Sequence, residues 1–194
     1  MLTQTHPDGG AAGIFALSQK SALQQAFFVV AGTLLLALAS RLSVPMVPVP
    51  VTMQTFAVTM IGALYGWRLA TLTVLAWLGE AMLGLPVLAG GASGIAPFVG
   101  PTAGYLVSFP IMAALVGLAT EKGVGKTSVV AAFCLHLFAN ALGLVLGWAW
   151  LAGLMGAEKA WLVGVAPFIL GAVLKSALAA SLLKALVGRG ASRA

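Results

Sequence analysis

Charge is scarce in this sequence, so the few ionisable and amide side chains set inside apolar runs are where its chemistry has to be sought. Glu80, Asn140 and Lys175 are three of them, and His136 precedes Asn140 by four residues, which puts both on one face of a helix. A lysine and a glutamate can pair with each other or with a polar ligand, and an amide both donates and accepts. Insertion scales put a charge at mid-membrane at about 2.5–3.5 kcal/mol, so neither Glu80 nor Lys175 should face lipid. Structural roles compete with binding at each position. Lys175 could snorkel or hold an ion pair, Glu80 could be structural too, and His136 and Asn140 could serve hydrogen bonds between helices. His136 alone makes no metal site, and no chemistry is assigned to it.

The second concentration of possible chemistry is residues 84–105, which carry glycine at 84, 90, 91, 94, 100 and 104, proline at 86, 97 and 101, and no charge. Glycine permits positive φ and close approach of a ligand to the main chain, while proline forbids a continuous helix. In lipid, irregular backbone is tolerated only where protein buries it or where it lines a cavity. The stretch therefore reads as a lid over a binding site. Gly90, Gly91 and Ser93 could offer main-chain N–H groups and a hydroxyl to a ligand, although tight turns alone would also explain the glycines. Tyr105, directly after the lid, and Trp148 could pack a ligand's apolar body. Trp148 could equally join Trp67, Trp150 and Trp161 in an interfacial belt. Gln54 could reach a ligand or satisfy loop backbone.

Composition decides what holds these residues. The 194 residues are 61% hydrophobic and 7% charged, with mean hydropathy +1.07, which excludes an ordinary soluble domain or a disordered chain. The expected class is an all-α polytopic membrane protein. A crossing takes about 20 apolar residues, and six segments qualify or nearly so: 21–42, 52–66, 67–84, 103–120, 127–150 and 161–187. The second is about 22 Å long at 1.5 Å per residue, too short alone. The extended, proline-rich VPMVPVPVT before it should dip into the membrane and supply the missing depth, with Thr52 as N-cap. Counted along these segments, Glu80, Asn140 and Lys175 fall at about 20, 20 and 18 Å from the inner side, in one layer, and His136 lies lower at about 14 Å.

Net charge is +6 and pI about 10.0, yet the ten basic residues are spread over loops and give topology rather than nucleic-acid binding. Lys20, Arg68, Lys122, Lys126, Lys184, Arg189 and Arg193 would lie inside, against Arg41 and Lys159 outside. Both termini are thus expected in the cytoplasm, with the two Gly/Pro-rich connections on the outer face of the cytoplasmic (inner) membrane of a prokaryote. Residues 1–20 read as a short tail with an amphipathic turn at Ile14, Phe15 and Leu17, without signal-peptide features, residues 21–187 as the membrane domain, and 188–194 as a basic tail. Cys134 is the sole cysteine, so an intramolecular disulfide is excluded.

Two motifs are decoys. GVGKTS (123–128) approaches a phosphate-binding loop, but Thr120 stands where its first glycine belongs and no strand precedes it. GASG (91–94) resembles the G-x-S-G of rhomboid intramembrane proteases, with His136 as conceivable base. A nucleophile and base must lie within hydrogen-bond reach, whereas Ser93 belongs to an outer loop and His136 lies well down a helix.

Four stretches in order, PVPVTMQTF (48–56), GLPVLAGG (84–91), GPTAGYLVSFP (100–110) and PFILGAVLK (167–175), resemble the BioY family, the biotin-specific substrate-capture (S) components of energy-coupling-factor vitamin transporters. The resemblance extends from about Val44 to Lys175. It implies a six-helix S-component fold with an outward-facing biotin site under the first and third loops. It further implies no cofactor in this chain, with uptake energised by a partner transmembrane subunit and two ABC-type ATPases that use ATP. One position departs: Ala172 stands where relatives carry an aspartate three residues before the lysine. Glu80 is therefore expected to compensate Lys175, with Asn140 free to bond the ureido ring or valerate tail of biotin. Small residues let helices approach closely in lipid, so Gly32, Thr33 and Ala37 on the first helix are expected to dock the partner subunit, intramolecular packing being the alternative. A self-sufficient, oligomeric biotin carrier without ATPases is the rival function, with Glu80 as its proton-coupling group.

Overall fold

The computed structural model describes residues 17–191; Ile14, Phe15 and the remainder of the tail before Leu17 fall outside them, as do residues 192–194. Leu17 opens a 3-10 turn, Leu17–Gln19, and is buried. Ser21 then starts the first long helix: its hydroxyl accepts the Gln24 N–H and the Gln24 side chain accepts the Ser21 N–H, a reciprocal capping box. Helix α1 (Ala22–Arg41) leads to a short antiparallel pair, β1 (Ser43–Val44) and β2 (Val51–Thr52), in register Ser43 to Thr52. After it come α2 (Gln54–Tyr65) and α3 (Trp67–Met82), then the Gly/Pro-rich stretch with a 3-10 turn at Ala89–Gly91 and the one-turn α4 (Ala96–Val99). Helices α5 (Ala103–Glu121) and α6 (Val129–Met155) follow, then α7 (Ala157–Gly164), a 3-10 turn at Ala166–Phe168, and α8 (Ile169–Ala191).

Among the described residues, four stretches are long and apolar enough to cross a membrane: Ala22–Arg41, Ala103–Glu121, Val129–Met155 and Ala157–Val187. Helices α2 and α3, with 12 and 16 residues, measure about 18 and 24 Å. Three boundaries differ from the sequence expectation. The segment expected at 161–187 is interrupted, because Pro167 lacks the N–H that would continue a helix. α6 runs on to Met155 before Gly156, at φ 86°, ends it. Thr52 ends β2 instead of capping α2, yet its hydroxyl still accepts the Gln54 N–H at 3.2 Å.

Helix α5 is the centre of the bundle, packed on α2, α3 and α6, with 56% of its membrane-length window buried against 22% for α1. Apolar burial gains nothing over lipid, so close backbone approach has to hold such a bundle together. Gly62 of α2 supplies it on one side, since a Cβ there would stand 2.7 Å from the Ala113 carbonyl. Gly147 of α6 supplies it on the other, where a Cβ would run into the Tyr105 ring. α8 packs chiefly against α6 and the start of α2, whereas α3 packs chiefly on α1, α2 and α5. That arrangement decides which polar groups can meet.

Candidate binding site

Lys175 is the focus of the site. It projects from α8 toward the beginning of α2, where its Nζ donates to the Thr52 carbonyl (3.0 Å) and to Thr55 Oγ1 (2.8 Å). The residue is 9% exposed. An ammonium has three N–H donors, so one is left over, and among the described residues no carboxylate pairs with it. That remaining donor belongs to the wall of a cavity of about 50 Å³, shared by Val49, Thr52, Thr55, Tyr105, Ser108, Asn140, Phe168, Ala172 and Lys175.

Asn140 reaches the same cavity from α6. Its Nδ2 donates to the His136 carbonyl (2.9 Å) and to Ser176 Oγ (3.3 Å). Both amide hydrogens are thereby used, and no described group donates to Oδ1. The cavity therefore offers a cationic donor from one wall and an unpaired acceptor from another. Beside the hydroxyls of Thr52, Thr55 and Ser108, its walls are apolar: Val49, Tyr105 and Phe168 form a small cluster, with the two rings stacked at 6.2 Å between centroids. The Tyr105 hydroxyl donates to the Gly164 carbonyl at 2.7 Å, which fixes the ring between α5 and α7.

Above lies a larger chamber of about 310 Å³, walled by Pro48–Pro50, Gln54, Leu88, Ala89, Ala92, Ala96, Pro97 and residues 100–102. Val49, Tyr105 and Phe109 belong to both spaces and form the partition between them. The glycine-rich stretch roofs the chamber and is fastened from three helices. Arg41 of α1 donates to the Pro86 carbonyl (2.7 Å), the Trp77 indole of α3 to the Val87 carbonyl (3.2 Å), and the Trp150 indole of α6 to the Gly100 carbonyl (2.9 Å). Gly91, at φ 79°, passes so close to Arg41 that a Cβ would stand 3.2 Å from the guanidinium.

The candidates drawn from sequence separate into groups. Lys175, Asn140 and Tyr105 meet at the lower cavity. Gln54 lines the upper chamber, while its amide bonds Thr52 Oγ1 (2.8 Å) and Ser40 Oγ (3.0 Å) and ties α2 to α1. Gly90, Gly91 and Ser93 line neither space; Leu88, Ala89 and Ala92 turn inward instead. Trp148 faces a wholly apolar groove between α6 and α8, with its indole donating to the Ala157 carbonyl at 3.1 Å.

The structure does not bring Glu80 to Lys175, whose ammonium bonds Thr52 and Thr55 instead. Glu80 is half-buried on α3 and lines neither space, because α3 packs on α1, α2 and α5 while α8 packs on α6 and α2. Gly32 and Thr33 are also turned inward rather than toward a partner. A Cβ on Gly32 would stand 2.5 Å from Thr73 Cγ2, and Thr33 is 3% exposed; of the expected docking trio only Ala37 is partly accessible. His136 does not serve Ser93 as a base, since both ring nitrogens of this buried residue lack any hydrogen-bond partner.

Thr55, Ser108, Phe168 and Ser176 were not anticipated. The spacing of Thr52 and Thr55, three apart at the head of a short helix, is the signal that could have pointed to a hydroxyl and carbonyl on one face. Phe168 carries no such signal, as only the break at Pro167 swings it toward Tyr105.

A sequence model of the BioY family matches residues 15–191. The chain is 37% identical over 149 residues to a probable biotin transporter BioY of Pyrococcus horikoshii, across 77% of this chain and 87% of that protein. It is also 37% identical over 161 residues to a biotin transporter BioY of Rhizobium etli, across 78% and 85%. Among solved structures it is similar to the S-component for biotin from an ECF-type ABC transporter, with TM-score 0.76 and 27% identity, covering 84% of this chain and 90% of that one.

Proposed function

This chain belongs to the BioY family, and we propose that it captures biotin as the membrane-embedded S-component of an energy-coupling-factor uptake system. The observation that carries the reading is the lower cavity, where the spare donor of Lys175 and the unpaired Oδ1 of Asn140 occupy one apolar pocket. A ureido group has one carbonyl acceptor and two N–H donors. It therefore matches Lys175 and Asn140 together, whereas a carboxylate would set its oxygens against Asn140 Oδ1. Burying a neutral group is also far cheaper than burying an anion. The ureido end accordingly goes down, the thioether ring lies between Val49, Tyr105 and Phe168, and the valerate rises into the loop-roofed chamber. The lower cavity, about 50 Å³, holds only a head group, and the upper one, about 310 Å³, holds the remainder. The missing aspartate at Ala172 is then replaced by Asn140, an acceptor on the neighbouring helix.

In this reading six helices cross the membrane. The β1–β2 segment extends the short α2 crossing, and the fastened lid completes that of α3. Both termini are cytoplasmic, the lid faces outward, and a partner transmembrane subunit with two ABC-type ATPases supplies the energy. Docking uses the exposed α1 face beside Ala37.

Titration of biotin into the purified full chain tests the assignment, with thiamine as control. Tryptophan fluorescence reads it directly, because Trp77 and Trp150 hold the lid. Saturable response to biotin alone is expected; absence of response from a folded sample refutes it. Uptake in proteoliposomes should need the energising subunits and ATP, and uptake by the chain alone would overturn the coupling.

A further inference from the structure

At the end of the bundle opposite Lys175, the first turn of α3 and the last turn of α5 border an open cavity of about 540 Å³, lined by Gln25, Tyr65, Trp67, Arg68, Leu69, Leu72 and Glu121. Cavities of roughly 300–1,000 Å³ hold small ligands. Its two charged groups are of opposite sign and do not pair with each other. The Arg68 guanidinium lies 5.3 Å over the Trp67 ring. Glu121 uses one oxygen to accept the Trp67 backbone N–H at 3.2 Å, satisfying an orphan donor at the start of α3. The floor is apolar and continues toward lipid: Leu72 is 55% exposed and Leu75, one turn on, is 51% exposed.

We infer that this cavity is a binding site for a phospholipid with a zwitterionic head group carrying a primary ammonium, that is, a phosphatidylethanolamine. Arg68 takes the phosphodiester, for which its planar fork of donors is suited. Glu121 keeps a second oxygen free to accept N–H bonds from the ammonium. The Trp67 ring sits at the level where indoles favour the head-group region, and the acyl chains descend along Leu69, Leu72 and Leu75. A purely anionic head would meet Glu121, and a quaternary amine would give it no hydrogen bond. The inference is independent of the ligand at Lys175 and needs only that the chain lies in a bilayer.

The test is native mass spectrometry of the full chain, delipidated in detergent and given equimolar phosphatidylethanolamine, phosphatidylcholine and phosphatidylglycerol. Phosphatidylethanolamine should be retained over each of the others by about tenfold, the scale of one charge-assisted hydrogen bond. Glu121→Gln should abolish that preference, and Arg68→Gln should lower retention of all three lipids, whose phosphodiester is common to them, while Arg68→Lys retains most of it; Glu121→Gln keeps a carbonyl for the Trp67 N–H, so its fold is preserved. Should a variant fail to fold by circular dichroism, the wild-type comparison alone decides. Equal retention of the three lipids, preference for phosphatidylglycerol, unchanged preference in folded Glu121→Gln, or undiminished retention in folded Arg68→Gln would overturn the assignment. Glycerophosphoethanolamine competing as well as the lipid would overturn the membrane source, for the leucine floor would then contribute nothing.

Discussion

Replacing Lys175 by methionine separates the two ways in which a buried lysine could serve biotin. Methionine keeps an unbranched chain of similar length but removes the charge and all three donors. In the empty protein two changes oppose each other. The Thr52 carbonyl loses its donor, at about 1–3 kcal/mol for an unsatisfied buried acceptor. A cation without a carboxylate partner is also relieved of a desolvation cost of about 2.5–3.5 kcal/mol at mid-membrane. These are of similar size, so the unfolding temperature should change little. Binding loses one hydrogen bond from a charged donor to the ureido carbonyl, about 1.5–3 kcal/mol, which is about 10- to 150-fold in Kd.

The assay is isothermal titration of wild type and Lys175→Met with biotin and with biotin methyl ester. If the ureido group occupies the lysine, esterification of the distant carboxylate costs the same factor in both proteins, because sites that do not touch behave additively. If the carboxylate occupies it, the ester penalty vanishes in the variant. A vanished penalty, or a Kd within threefold of wild type for biotin itself, would refute the ureido-down arrangement.

Four other substitutions bear on the site and its lid. Tyr105→Phe keeps the ring against Phe168 but strands the Gly164 carbonyl, so thermal unfolding should show a loss of about 1–3 kcal/mol with little change in biotin Kd. Gly147→Ala drives a methyl group into that same ring; overpacking of about 1–3 kcal/mol should lower the unfolding temperature and weaken biotin together, and unchanged values for both would contradict the packing. Arg41→Ala removes the Pro86 anchor of the lid and should raise the biotin dissociation rate by up to about tenfold, with association nearly constant in stopped-flow chase experiments. Glu80→Gln, at a residue that lines neither cavity, should leave biotin Kd within about twofold, and a larger loss in titration would restore a role for that carboxylate.

The sequence made the membrane class, the lid and the lysine legible for different reasons. Composition alone excludes a soluble domain, because 61% hydrophobic residues against 7% charged have no counterpart in one. The lid was legible because six glycines and three prolines in 22 apolar residues can form no continuous helix in lipid. Lys175 was legible through the cost of its own charge. What a count along one helix leaves open is visible in Glu80, which lines neither cavity. Counting residues gives depth along a helix, one coordinate of three, and by that count alone Glu80, Asn140 and Lys175 fall in one layer. The remaining coordinates come from which helices touch and which way each face turns, and these depend on glycine notches such as Gly62 and Gly147 that bring α2 and α6 onto α5. With α5 at the centre, α3 packs on α1, α2 and α5 while α8 packs chiefly on α6 and α2, and among the described residues no ion pair joins Glu80 to Lys175. Asn140 and Thr55 reach Lys175's cavity because α6 and α2 are the helices α8 packs against. The same reasoning explains Gly32, whose small size was read correctly as a contact surface but whose partner is Thr73 of this chain. In a bundle held together by close approach instead of by water exclusion, small residues mark contacts without saying whose, and only the order of packing around α5 assigns them.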